Sequence, residues 1–116
     1  MQPIFTLPME VRDYECDLQG IVNNAVYQNY NEHCRSAFIA SLGVEFADLH
    51  ARGIDVVVAQ LSMRFKVPLR PGDKFEVRLA LEKQGLRYVF HQDIVRLIDE
   101  KRATKDTTYQ KEVLSL

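Results

Sequence analysis

Between Asn24 and Leu42 the apolar side chains recur with the period of an α-helix. Val26, Tyr27, Tyr30, Cys34, Ala37, Phe38 and Ser41 fall on one face of a 3.6-residue repeat, while Gln28, Asn31, Glu32, Arg35 and Ser36 take much of the rest. Asn23 or Asn24 is the expected N-cap, because an asparagine oxygen satisfies an unpaired first-turn amide. Gly43 stands where a C′ glycine belongs. Ala37 to Leu42 is apolar nearly all round, which predicts that the last turns are buried. At 1.5 Å per residue this core helix is ~27 Å long. A short second helix is expected over Phe46 to Arg52, ended by Gly53.

The period then switches to two. Val57, Ala59, Leu61, Met63, Phe65 and Val67 alternate with Val58, Gln60, Ser62, Arg64 and Lys66, predicting a strand with one dry and one wet face. Pro68 to Asp73 reads as a turn with two prolines and a glycine. Phe75, Val77, Leu79 and Leu81 form a second alternating set, Tyr88 to Ile98 a third, and Ala103 to Val113 a fourth. Gln84-Gly85 and Asp99-Glu100 separate the last three. Short turns between long strands predict an antiparallel meander, since parallel partners need crossovers of about a dozen residues. Near the N-terminus, Ile4 to Val11 is β-compatible, and Pro8 marks it for an edge. The expectation is an α+β domain, one long buried helix wrapped by a curved antiparallel sheet.

Composition narrows the class further. The 116 residues make one domain, 1–116, at roughly 100–200 residues per domain. Hydrophobic residues at 47% and charged ones at 27% exclude a disordered tail. Fifteen basic against sixteen acidic residues, net −1, argue against a nucleic-acid partner, which calls for a basic excess. No apolar run approaches the ~18–20 residues of a membrane span, and no basic-then-apolar leader opens the chain, so a cytoplasmic location is expected. Cys16 and Cys34 have no metal-ligand spacing and read as reduced packing residues.

The polar loop Arg12 to Gly20 is where chemistry is expected. It leads into the helix start, where unpaired N–H groups and the positive dipole end can hold a developing oxyanion. Asp17 lies six residues before Asn23, with Gly20 between them to let the chain turn sharply. A carboxylate facing free N–H donors has the parts for acyl-transfer hydrolysis. The plainer alternative is that Asp17 caps a turn. His33, His50 and His91 fall at no dyad or ligand spacing.

The run from Val11 to Tyr27, VRDYECDLQGIVNNAVY, resembles the signature of the hotdog-fold acyl thioesterases. Specifically, it resembles the 4-hydroxybenzoyl-CoA thioesterase group, with Asp17, Gly20, the apolar pair Ile21-Val22, the polar pair Asn23-Asn24, and Tyr27 in order. Val-Asn-Asn with the tyrosine also resembles the acyl-ACP and acyl-lipid thioesterases of plants. The likeness extends over about residues 8–113, through Glu32 and Arg35 and the Pro68 to Phe75 stretch.

The resemblance implies a hotdog fold whose subunits pair edge to edge, with active sites between them, as a homodimer or tetramer. It implies Asp17 as nucleophile or general base, Gly20 as the loop-shaping residue, and the backbone N–H near Asn24 as oxyanion donor. Two asparagines stand where many relatives carry a tyrosine or histidine, which leaves a backbone role and removes a side-chain one. Ile21 stands where the plant enzymes have a histidine, so their Asn-His-Cys set is not carried over.

Tyr27 is expected to line the acyl site, with Glu32 in support. Arg64, Lys66, Arg70 and Lys74, with Lys83 and Arg87 at the next turn, are candidates for the phosphates of coenzyme A or an acidic carrier protein. The expected reaction is hydrolysis of a fatty acyl-CoA or acyl-ACP, with no metal or redox cofactor. Two other readings stand beside it. One is a non-catalytic acyl-thioester binding protein; the other is a hotdog dehydratase or hydratase. The latter needs a helix-start histidine, and none falls between Asp17 and Tyr27.

Overall fold

The computed structural model describes residues 1–114. Its elements in chain order are β1 (Phe5–Glu10), a 3-10 turn (Asp13–Glu15), α1 (Asn24–Ser41), α2 (Phe46–Ala51), β2 (Ile54–Phe65), β3 (Lys74–Gln84), β4 (Arg87–Arg96) and β5 (Lys101–Leu114). The strands form one antiparallel sheet in the order β1-β3-β4-β5-β2. Phe75, Val77 and Leu79 of β3 and Phe90 and Ile94 of β4 form its dry inner face. Against them α1 packs Tyr27, Tyr30, Cys34 and Phe38, four of the residues its periodicity marks. Asn23 is the cap, its Oδ1 accepting from Ala25 N–H at 2.9 Å, and β1, with Pro8, is an edge strand as expected.

Two expectations change. The meander is only β3-β4-β5; the Pro68 to Asp73 segment joins strands that are not neighbours. β2 pairs with β5 at the opposite edge. The connection carries two prolines that cannot donate to a ladder. It instead drops Leu69 fully into the core, where Leu69 N–H donates to the Tyr27 hydroxyl at 2.9 Å and Leu69 C=O accepts from Val22 N–H at 2.9 Å. β2 is also not cleanly half-dry. Its register shifts between Val58 and Gln60, and Val57, Val58 and Phe65 are all exposed.

The helix differs as well. Asn31 and Arg35, on its expected wet side, are buried, and Ala40 to Leu42, expected to be buried, are exposed. The cause lies in the sheet below. The inner row of β5 is polar and buried, Thr104, Asp106, Thr108 and Gln110, with Gln92 beside it on β4. Buried polar groups need partners, and α1 supplies some of them: Asn31 Nδ2 donates to Asp106 Oδ2 at 3.0 Å, and Arg35 Nη1 donates to Gln92 Oε1 at 2.9 Å, while Thr104 Oγ1 and Asn31 Oδ1 have no partner among the described residues. Thr108 Oγ1 donates to Asp106 Oδ1 at 2.7 Å and lies 3.5 Å from the Arg35 guanidinium, so a hydroxyl links the buried cation to the buried acid. Among the described residues, no helix is long and apolar enough to cross a membrane.

Candidate active site

The Arg12 to Asn23 loop folds back on itself as a small hairpin. Cys16 pairs with Val22, and Asp17 N–H donates to Ile21 C=O at 2.9 Å. Its tip is a tight turn in which Gln19 N–H donates to Asp17 Oδ1 at 2.8 Å and Gly20 N–H to Asp17 C=O at 3.0 Å. Gly20 sits at φ +72°, a conformation that suits glycine. Asp17 therefore caps a turn, the plainer of its two roles, yet among the described residues only one carboxylate oxygen has a partner. The side chain is exposed and in no ion pair with another described residue.

The hairpin returns the chain to the start of α1, where Asn23 satisfies the amides of Ala25 and Val26. The amide of Asn24, the first helical residue, has no intrahelical partner by geometry and belongs to the positive end of the helix dipole. Ile21, Val22, Asn24 and Tyr27 line one side of a cleft of about 260 Å³; Phe65, Lys66 and Ala103 line the other. Asp17 stands one hairpin rung away from this cleft, across from Ile21, rather than in its wall.

The loop is braced from beneath. Glu15 Oε1 accepts from Arg12 N–H and from the Tyr30 hydroxyl, each at 2.8 Å, and Glu15 C=O accepts from Asn23 N–H at 3.2 Å. Burial, then the bond to Glu15, pushes the Tyr30 hydroxyl pKa well up, so it remains a donor. Sequence reading missed this brace, whose partners lie fifteen residues apart. Only the 3.6-residue face that put Tyr30 inward hinted at it.

The other candidates divide by place. Asn24, Tyr27 and Lys66 gather at the helix start, with Asp17 and Gly20 at the hairpin tip. Glu32 lines a separate polar cleft of about 330 Å³ with Gln28, Arg35 and Gln110. Arg64 points to the sheet's outer face, beside Lys105 in a cleft of about 250 Å³. Arg87, with Lys83 and Lys111, lines a cleft of about 390 Å³ at the β3–β4 hairpin. That hairpin is the far end of β3, ~36 Å of strand from Lys74 at 3.3 Å per residue. It is thus remote from this chain's own Asp17.

An apolar cavity of about 320 Å³ opens at the other end of α1, walled by Phe38, Ile39, Leu42, Leu49, Leu81 and Phe90. Burial pushes the Cys34 thiol up to about 11 and raises Cys16 too, which keeps both protonated, as packing residues. His50 and His91 pair with Asp55 and Glu82 at 2.7 and 2.8 Å, away from the helix start.

Residues 19–101 match the model of the family described as the thioesterase superfamily. The chloroplastic acyl-acyl carrier protein thioesterase ATL3 of Arabidopsis thaliana is 36% identical over 102 residues, covering 87% of this chain and 54% of that protein. The chain spans about half the length of this relative and of a second Arabidopsis acyl-acyl carrier protein thioesterase. A hypothetical protein of Aquifex aeolicus superposes with a TM-score of 0.86 at 30% identity, over 94% of this chain and 88% of that one. A 1,4-dihydroxy-2-naphthoyl-CoA thioesterase of Synechocystis gives 0.90 at 16% identity, over 95% and 82%, and so shares the fold. The architecture is the hotdog fold that the loop signature implies.

Proposed function

The chain belongs to the thioesterase superfamily, and from that premise we propose that it hydrolyses acyl thioesters where the Asp17 hairpin meets the start of α1. One observation supports the reading: the Cys16–Val22 hairpin carries Asp17 next to Ile21, and Ile21 lines a cleft together with Asn24, the first residue of α1. Because Asp17 stands outside the wall of that cleft, a water fits the role of attacking group better than the carboxylate itself. Asp17 takes a proton from this water, whose oxygen bonds to the thioester carbon. The carbonyl oxygen gains the electron pair and is held by the Asn24 N–H. Collapse of the tetrahedral species breaks the C–S bond, and the leaving thiolate takes the proton back from Asp17. Acid and thiol are released. Every proton in this scheme is accounted for by water and Asp17, so it calls for no metal or redox cofactor, and the expected outcome of EDTA treatment is an unchanged rate.

The substrate proposed is a fatty acyl group on coenzyme A or an acyl carrier protein. The Arabidopsis relative is named for the latter carrier. The apolar cavity by Phe38 offers room for a tail, and Lys66 places a cation at the cleft for a carrier phosphate. The tail and the helix start lie apart in one chain: Asn24 and Phe38 are ~21 Å apart along the axis. A homodimer or tetramer formed through β2 resolves this by sharing sites. β2 is an edge strand with an unpaired ladder and exposed Val57 and Val58.

The test is thiol release from a panel of acyl-CoAs and acyl-ACPs. Asp17→Ala is expected to lose on the order of 10²–10⁴-fold in kcat, the usual worth of a positioned acid–base group. An unchanged rate removes Asp17 from the mechanism. No turnover of any thioester by the wild type, with tight binding, would instead indicate an acyl-thioester binding protein.

A further inference from the structure

We propose that Glu15 is the positioning residue for the Asp17 hairpin and that it acts through the hydroxyl of Tyr30. The inference rests on the reading of the hairpin–helix junction as the hydrolytic site. A loop that carries an acid must hold it still relative to the oxyanion donor, since a misplacement of about 1 Å costs on the order of 10²-fold in rate. Here both groups hang from one residue. Asp17 follows Glu15 by two positions, and the Glu15 carbonyl holds the amide of Asn23, which immediately precedes Asn24.

Glu15 is in turn tied to the core. Its Oε1 takes the Tyr30 hydroxyl at 2.8 Å, and the same oxygen takes Arg12 N–H, closing the 3-10 turn at the root of the hairpin. Tyr30 cannot drift. It is buried on α1, its ring centroid lies 4.7 Å from that of Phe75 on β3, and it meets Tyr27 edge-on at 6.2 Å. The Arg12 guanidinium is engaged elsewhere, donating to the Tyr14 hydroxyl at 2.7 Å. The carboxylate therefore serves as an acceptor for the loop and the helix together, and not as half of an ion pair with Arg12.

Tyr30→Phe keeps the ring and removes the hydroxyl, and Glu15→Ala removes the acceptor. Each is expected to lower kcat about 10- to 100-fold with KM changed by less than about threefold. The double variant should be no worse than the poorer single, because both break one link. Glu15→Gln retains the oxygen that accepts both bonds, and should recover most of the rate lost in Glu15→Ala. Amide exchange, measured on the same full-length variants, should speed up at Asp17 and Asn23 in Tyr30→Phe and stay slow in Glu15→Gln.

Asp17→Ala is run in parallel. If it loses activity while Tyr30→Phe and Glu15→Ala keep the full rate and slow exchange, the positioning role is overturned and the hydrolytic site stands. If Asp17→Ala is fully active while exchange speeds up in Tyr30→Phe, the brace is real and the assignment of Asp17 fails. Additive losses in the double variant, or no recovery by Glu15→Gln, also overturn the proposal.

Discussion

The two ends of α1 are built on opposite plans. At its start, two buried tyrosines each spend a hydroxyl on holding chain: Tyr27 accepts from Leu69 N–H and Tyr30 donates to Glu15. Their rings lock against Phe65 and Phe75 at 5.8 and 4.7 Å. At its end the helix runs out into exposed Leu42 beside a cavity walled mainly by apolar side chains, with Tyr88, Gln110 and Glu112 as its polar members. Directional bonds fix position, whereas apolar packing fixes volume. The start is suited to placing reacting atoms, and the end to accepting a tail whose length is not critical. Between them lies the Asn31–Arg35–Asp106 band, which joins the helix to the sheet at mid-length.

The largest effect should come from breaking that middle band. Arg35 is 4% exposed and faces Asp106, itself 1% exposed, through Thr108. Arg35→Ala orphans the Gln92 Oε1 acceptor, unties Thr108 and takes a nearby cation from buried Asp106, and each buried group left unsatisfied typically costs ~1–3 kcal/mol. Denaturant unfolding should show a drop of that size; a change under ~1 kcal/mol would mean that the two ends are held together by apolar packing alone.

Next in size is Tyr27→Phe at the start. It leaves the N–H of fully buried Leu69 without an acceptor, at a cost of about 1–3 kcal/mol. The crossover that Leu69 anchors also borders the cleft, so kcat should fall along with stability. If stability falls and the rate does not, the start of the helix is braced for folding and not for chemistry.

How much of this contrast was readable in the sequence depends on the kind of signal. The inward face of α1, the Asn23 cap, the β1 edge and the Asp17–Gly20 turn are local, set by spacing or by one residue's conformational preference. The crossover of 66–73 is not local: the same two prolines and glycine serve a hairpin or a long connection equally. Asn31 and Arg35 read as wet because polar side chains usually are; their burial follows from a polar row on β5, seventy-five residues away for the Asn31–Asp106 bond. Lys66 lay within reach of spacing arguments because it follows β2 directly into the cleft. Arg87 did not, since only the sheet order reveals that its hairpin lies at the far end of β3.

The far end offers a smaller effect that sharpens the comparison. Leu42→Trp puts a large ring at the mouth of the cavity, on a helix terminus already exposed, so the fold should tolerate it. If the tail lies there, kcat/KM for long acyl thioesters should fall about tenfold, some 1.4 kcal/mol, and that for short ones should hold. An equal fall for both, or none for either, would place the tail elsewhere.

The smallest effects are in pH dependence, and they separate the middle band from the Arg96–Asp99 pair beside the crossover. Burial raises the Asp106 pKa above its ordinary 3.8, against the pull of Thr108, Arg35 and Asn31. The folded state then holds this proton to higher pH than the unfolded chain does. Its contribution to stability is full below about 3.8 and is lost as pH rises through the raised value. Asp99 runs the other way. Arg96, which also donates to Pro68 C=O at 3.2 Å in the crossover, holds the Asp99 carboxyl at about 2. Its contribution is present above 3.8 and lost as pH falls towards 2. Asp106→Asn should therefore flatten the stability profile on the alkaline side of 3.8, and Asp99→Asn on the acid side. Asp99 lies at the surface, so its slope should also fade in high salt while that of buried Asp106 persists. Two slopes that fade equally with salt would show that the band beneath α1 is open to water, and the contrast between a bonded middle and an apolar end would fail.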